Sequence, residues 1–167
     1  MGLSGIPGPL VRPRWQPVPP NQPDIKTNWL AFGIQGRPAD TFAFEVHDPA
    51  ANDGNGADIV NRNEVLEILL SFYGPQASGY ASRVRDGFAV PQNREALLMA
   101  GMALIECGDI TTAPALINQQ WYRRFDMPVR IRRAVTRVYP VLHLVSAGIT
   151  LHTDVGITEN IEVMENV

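Results

Sequence analysis

Six of the chain's thirteen arginines fall within fifteen residues: Arg123, Arg124, Arg130, Arg132, Arg133 and Arg137. A guanidinium is a permanent, planar cation that binds carboxylates or phosphates through two parallel hydrogen bonds, so this density asks for an anionic counterpart. The stretch has the period of a strand: Phe125, Met127, Val129 and Ile131 fall to one side, Arg124, Asp126, Arg130 and Arg132 to the other. Three readings fit. The arginines could meet carboxylates of a neighbouring protein subunit, form a solvated face, or hold nucleic-acid phosphates. A net charge of −3, the interleaved Asp126 and the lack of paired aromatics on that face weigh against the third. The assembly reading makes Trp121, Arg123, Arg124, Asp126, Arg130, Arg132 and Arg137 candidate interface residues.

Other chemistry is thin. Asp53-Gly54-Asn55-Gly56-Ala57-Asp58 resembles a calcium loop, but placing Gly56 at the sixth position puts Ala51 first and Arg62 twelfth, where acidic ligands are needed; it reads as a plain turn. Three histidines, His47, His143 and His152, have no metal-ligand spacing. Cys107 lies in an apolar segment and reads as a small core residue. No serine sits in a Gly-x-Ser-x-Gly turn and no Gly-rich phosphate loop occurs. The expectation is a non-enzyme with no catalytic residue, metal or cofactor.

The elements that would position the arginines follow from pattern. Residues 1–24 hold seven prolines and read as an extended arm, because proline fixes φ and lacks an N–H. Arg12, Arg14 and Trp15 make that arm adhesive, and docking on a neighbouring subunit is expected of them. The folded domain is read as 25–153 and the remainder, 154–167, as a loose acidic tail. Strands are expected at 27–34, at 41–47 (antiparallel to the first), and at 64–73. Ser71-Phe72-Tyr73-Gly74-Pro75 ends the third and leads into a helix to about Phe88, with Ala77, Tyr80, Ala81, Val84 and Phe88 at 3–4 spacing. A second helix runs from Pro91 to Gly101, then 102–107 as a strand or an extension of that helix, a loop over 111–118, and a long β region over 119–133 and 135–153. Strands grouped around a helical pair predict an α+β fold: an antiparallel or mixed sheet with two helices packed on one face, plus the Pro-rich arm.

Length predicts one domain with a core of its own. No apolar run is long enough to span a bilayer, residues 1–9 lack a signal-peptide pattern, and the single cysteine suits a reducing compartment; synthesis in the cytoplasm is expected. Thirteen arginines against one lysine, Lys26, fit interface use of guanidinium or a GC-rich genome equally well.

The ordered combination Leu66-Glu67-Ile68, Ser71-Phe72-Tyr73-Gly74-Pro75, Arg85-Asp86-Gly87, Gln92-Asn93-Arg94, Gly108-Asp109-Ile110, Asn118-Gln119-Gln120-Trp121, Arg124-Phe125-Asp126-Met127 and Arg137-Val138-Tyr139 resembles the neck and tail-terminator domain proteins of tailed bacteriophages. The likeness spans most of residues 10–153. It implies a small structural protein of the virion neck, made in the host cytoplasm, that forms a six-fold ring on the tail tube, stops its growth and joins it to the head connector. Implied partners are further copies of the chain, the tail tube protein, head–tail connector and adaptor proteins, and the tail sheath as a further candidate. DNA would pass through the ring without specific binding, and no membrane is involved. A head-completion or adaptor ring of the same neck, and a small DNA-binding accessory protein, are the alternatives.

Overall fold

The computed structural model describes residues 3–18, 20–141, 146–152 and 158–164, the last two stretches as backbone alone. In chain order the strands are β1 (Val11–Pro13), β2 (Trp29–Gly36), β3 (Phe44–Asp48) and β4 (Ala57–Tyr73). Helices α1 (Ala77–Ala89) and α2 (Glu95–Met99) follow. Then come β5 (Met102–Cys107), β6 (Thr111–Thr112), β7 (Ala115–Ile117), β8 (Gln120–Tyr122) and β9 (Arg124–Pro140), with β10 (Ser146–His152) and β11 (Thr158–Met164) last. The fold is α+β. The chain divides into two compact units, Met1–Thr41 with Asn63–Val135, and Phe42–Arg62 with Thr136–Val167, so the division falls inside β4 and inside β9.

The first unit is a sheet in the order β1-β2-β4-β9-β5, with β6 also on β9. As β4 advances from Glu64 to Ser71, its hydrogen-bonded partner on β9 steps back from Arg133 to Asp126, so these strands run antiparallel. One sheet face is apolar by alternation: Leu66 and Phe72 on β4, Met127, Val129 and Ile131 on β9. Helix α1 lays Ala77, Ala81 and Val84 against it, small residues at 3–4 spacing that let the helix approach closely. Gly74 makes the strand-to-helix turn at φ +108°, and a Cβ there would lie 2.5 Å from the Thr27 carbonyl oxygen. Asn28 Oδ1 accepts the Gln76 N–H at 2.8 Å, satisfying a donor at the helix start. On the opposite face Trp29 stacks on Tyr73, with centroids 4.1 Å apart and planes 6° from parallel, beside Ala31 and Tyr122.

The second unit holds β3 paired with the start of β4 and, as a separate two-stranded sheet, the antiparallel hairpin β10–β11.

Several expectations change. The core reaches back into the Pro-rich segment: Ile6 is buried in the main cluster, Leu3, Leu10 and Val11 pack on it, and β1 pairs in parallel with β2 through Val11↔Leu30, Arg12↔Ala31 and Pro13↔Phe32. A domain starting at residue 25 therefore leaves out part of its own core. Strand β3 pairs with β4 and not with β2, because alternation specifies a strand's faces and says nothing of its neighbour. Strand β4 begins at Ala57, not Glu64, since β3 supplies its early residues with ladder partners. The second helix shrinks to a 3₁₀ turn over Pro91–Arg94 and the short α2. The expected 111–118 loop contains β6 and β7; β7 and β8 form a hairpin whose turn residues Asn118 and Gln119 both have positive φ, the type I′ geometry. Residues 158–164 of the expected loose tail are strand, pairing Thr158–Met164 with Ser146–His152; their Ile161/Val163 alternation carried that signal beneath the acidic composition. Residues 142–145, 153–157 and 165–167 lie outside the described residues, and with them the rest of the tail, the alternation through His143 and the Thr153-Asp154 pair.

Candidate assembly interface

The arginine-rich strand β9 places Arg124, Asp126 and Arg130 on the sheet face opposite α1. There Arg124 Nε donates to Asp126 Oδ1 at 2.8 Å, and Arg124 Nη2 donates to Asp126 Oδ2. Ser71 Oγ, fully buried, donates to Asp126 Oδ1 and accepts from Arg14 Nη2. Burial pushes the Asp126 carboxyl up, but hydrogen bonds from Arg124 and Ser71, with the charges of Arg124 and Arg14, outweigh it and hold the pKa below the usual carboxylate range. The bond to Asp126 likewise raises the Arg124 guanidinium. This group fastens three segments together: the N-terminal segment, β4 and β9.

Further along β9, Arg130 pairs with Glu106 on β5 at 3.1 Å and lies 3.7 Å from Glu67 on β4. These groups are half-exposed, so the row contributes little to stability. Arg133 Nη2 and Nε reach Glu64 Oε2 at 2.7 and 3.1 Å, and Glu64 is buried. Arg124, Asp126 and Arg130 therefore have counterparts within the chain. Pattern reading could not name Ser71, Glu64, Glu67 and Glu106, because they are supplied by strands distant in sequence.

The other candidates are exposed. Arg123, Arg132 and Arg137 are all on the surface. Trp121 is 66 % exposed and lies opposite Leu116, 60 % exposed, across the β7–β8 hairpin. Trp121 and Arg123 line an open cleft of about 320 Å³ with Ile25, Lys26, Gly74 and Pro75. In the N-terminal segment, Arg12 Nη1 donates to the Asn21 carbonyl at 2.7 Å and Arg14 is held by Ser71. Trp15 sits over Gly33, where a Cβ would come within 2.6 Å of its ring, yet it remains 69 % exposed.

Elsewhere the geometry is structural. His47 Nδ1 and Asp58 Oδ1 are 2.7 Å apart across β3 and β4. Cys107 is half-buried, and burial raises its thiol pKa against the lowering charge of Arg85, the opposite of an activated nucleophile. Among the described residues, no three His, Cys, Asp or Glu side chains gather as a metal site, and no helix is long and apolar enough to cross a membrane.

The network ties β9 to β4 and to the N-terminal segment, and the exposed Trp121 and Arg123 precede the strand in the chain. Among curated proteins none matches the chain. The model of the phage neck terminator protein family matches residues 2–155. The chain thus belongs to the phage neck terminator protein family, and it is a structural component of the phage neck and tail.

Proposed function

We propose that the chain closes into a six-fold ring on top of the tail tube, ends tube growth and joins the tail to the head connector, with a central channel for DNA. The observation that carries this reading is the neck-terminator match across residues 2–155. A ring needs two different complementary surfaces on each subunit. The exposed set Trp121, Arg123, Arg132 and Arg137, with Trp15, supplies residues of the types favoured at protein interfaces. Arg124, Asp126 and Arg130 act behind them, keeping β9 in register. Further copies of the chain, the tail tube protein and the connector or adaptor proteins are the partners, with the sheath as a candidate.

The test is native mass at tens of micromolar, alone and after mixing with cognate tail tubes, followed by electron microscopy of tube ends. Closed rings, or density capping one end of each tube, are the expected result. A monomer that ignores tubes overturns it. Retention on DNA that falls steeply between low and moderate salt would favour the accessory-protein reading instead.

A further inference from the structure

Among the described residues, those of the second unit take no part in the clusters that hold the first together, and among its described side chains only Ala57 is buried. Even so, its strands are patterned like one side of a core. Phe44 pairs with Asn61 and Val46 with Ile59 across β3 and β4. Thr136 Oγ1 lies 2.6 Å from Asn61 Oδ1, which places Thr136 on that same face, and Val138, two residues on, shares it. Phe44, Val46, Ile59 and Val138 thus make an apolar stripe across three strands, with Phe44 68 % and Val138 58 % exposed. The other face is mixed, carrying Glu45 opposite Val60 and the His47–Asp58 pair. An apolar sheet face of this kind is a surface that something covers.

The charges indicate what covers it. The second unit has eight acidic residues and two arginines, a net charge of −6, and the first has twelve basic and nine acidic residues, a net charge of +3. The molecule is therefore electrostatically complementary to a second copy of itself. The first unit also exposes an apolar pair across the β7–β8 hairpin, Leu116 and Trp121, and Trp121 lies with Lys26 and Arg123 in a cleft that no acidic residue lines. We infer that the Phe44–Val46–Ile59–Val138 stripe is the docking surface for the β7–β8 hairpin of a second copy. Each copy offers its stripe to one neighbour and its hairpin to the other. Opposite charges steer the encounter and fix its direction, and the apolar contact supplies the affinity. This rests on the ring reading and specifies its interface: a head-to-tail contact that is heterologous and closes on itself.

The experiment uses the full chain in two double variants, Phe44→Asp with Val46→Asp, and Leu116→Asp with Trp121→Asp. Each alone is expected to be monomeric where the wild type assembles. Their equimolar mixture is expected to give a discrete dimer and nothing larger, because one intact stripe and one intact hairpin remain. Far-UV circular dichroism verifies folding, and Phe44→Ser with Val46→Ser replaces the acidic pair if it disturbs the fold. Wild-type rings from either variant overturn the docking while leaving the ring reading intact. A hairpin variant that still dimerises by itself shows stripe pairing with stripe, and a mixture that stays monomeric shows no stripe–hairpin contact; either result overturns the inference. A wild type that never assembles, alone or on tubes, removes the ring reading and this inference with it.

Discussion

The two ends of β9 follow one alternating pattern and meet opposite surroundings. From Arg124 to Ile131, Met127, Val129 and Ile131 are buried under α1 while Arg124 and Asp126 are closed into a network on the far side. From Thr136 to Pro140 the alternation continues, yet every residue is exposed. Strand β4 repeats the contrast, from Phe72 at zero exposure to the half-covered Ile59 and Val60. Alternation decides that a strand has two faces. Whether an apolar face lies against a core or waits for a partner depends on what the rest of the chain brings there.

The largest test of that contrast pairs two phenylalanines. Phe72→Ala is expected to destabilise the isolated chain by about 3–5 kcal/mol, because a fully enclosed ring leaves a cavity. Phe44→Ala is expected to change it by within about 0.5 kcal/mol, as for a surface position. Chemical denaturation of both variants measures the difference, and equal losses would erase the distinction between the two ends.

A middle-sized effect is expected in the buried network. Asp126→Asn should cost about 1–3 kcal/mol near neutral pH, by weakening charge-assisted bonds to Arg124 and removing the charge that faces Arg14. The sign with pH follows from the lowered pKa. Unfolded Asp126 titrates near ~3.9, so its contribution is fully present above that value and is lost as pH falls through the lower folded-state pKa. The wild type should therefore lose stability on acidification more steeply than Asp126→Asn, which thermal melts from neutral to acid pH would record.

The smallest effect lies in the exposed row of the same strand. Arg130→Ala should cost under about 1 kcal/mol, shrinking with added salt, because Glu67, Arg130 and Glu106 are all open to solvent. A salt-independent loss as large as that at Asp126 would show that exposure does not separate the two arginine settings.

Much of the local structure was legible. Strand β2, the end of β4, helix α1 and the buried residues Met127, Val129 and Ile131 follow from periodicity, and Gly74-Pro75 marks the turn between β4 and α1. The arginines were legible as a group with anionic counterparts, but their partners were not, since Ser71, Glu64, Glu67 and Glu106 come from other strands. The proline count concealed that Ile6 and Val11 belong to the core: proline excludes helix and central strand, yet permits an edge strand such as β1. The turn at Asn118-Gln119 escaped notice because glutamine is an unusual residue at positive φ, and the first strand of that hairpin, Ala115–Ile117, falls in the expected loop while the strand with Trp121 falls in the expected β region.

By itself, the sequence determined the α+β class, the two-faced character of the long strands and, through its ordered motifs, the likeness to phage neck terminators; these depend on residue order and local geometry alone. Only the tertiary structure decided which arginines are enclosed and which are exposed, that the Pro-rich segment completes the core, and that the described strands of one unit expose an apolar face. Those outcomes depend on which distant strands become neighbours, and hydrogen-bond pairing between remote segments leaves no periodic trace in either one.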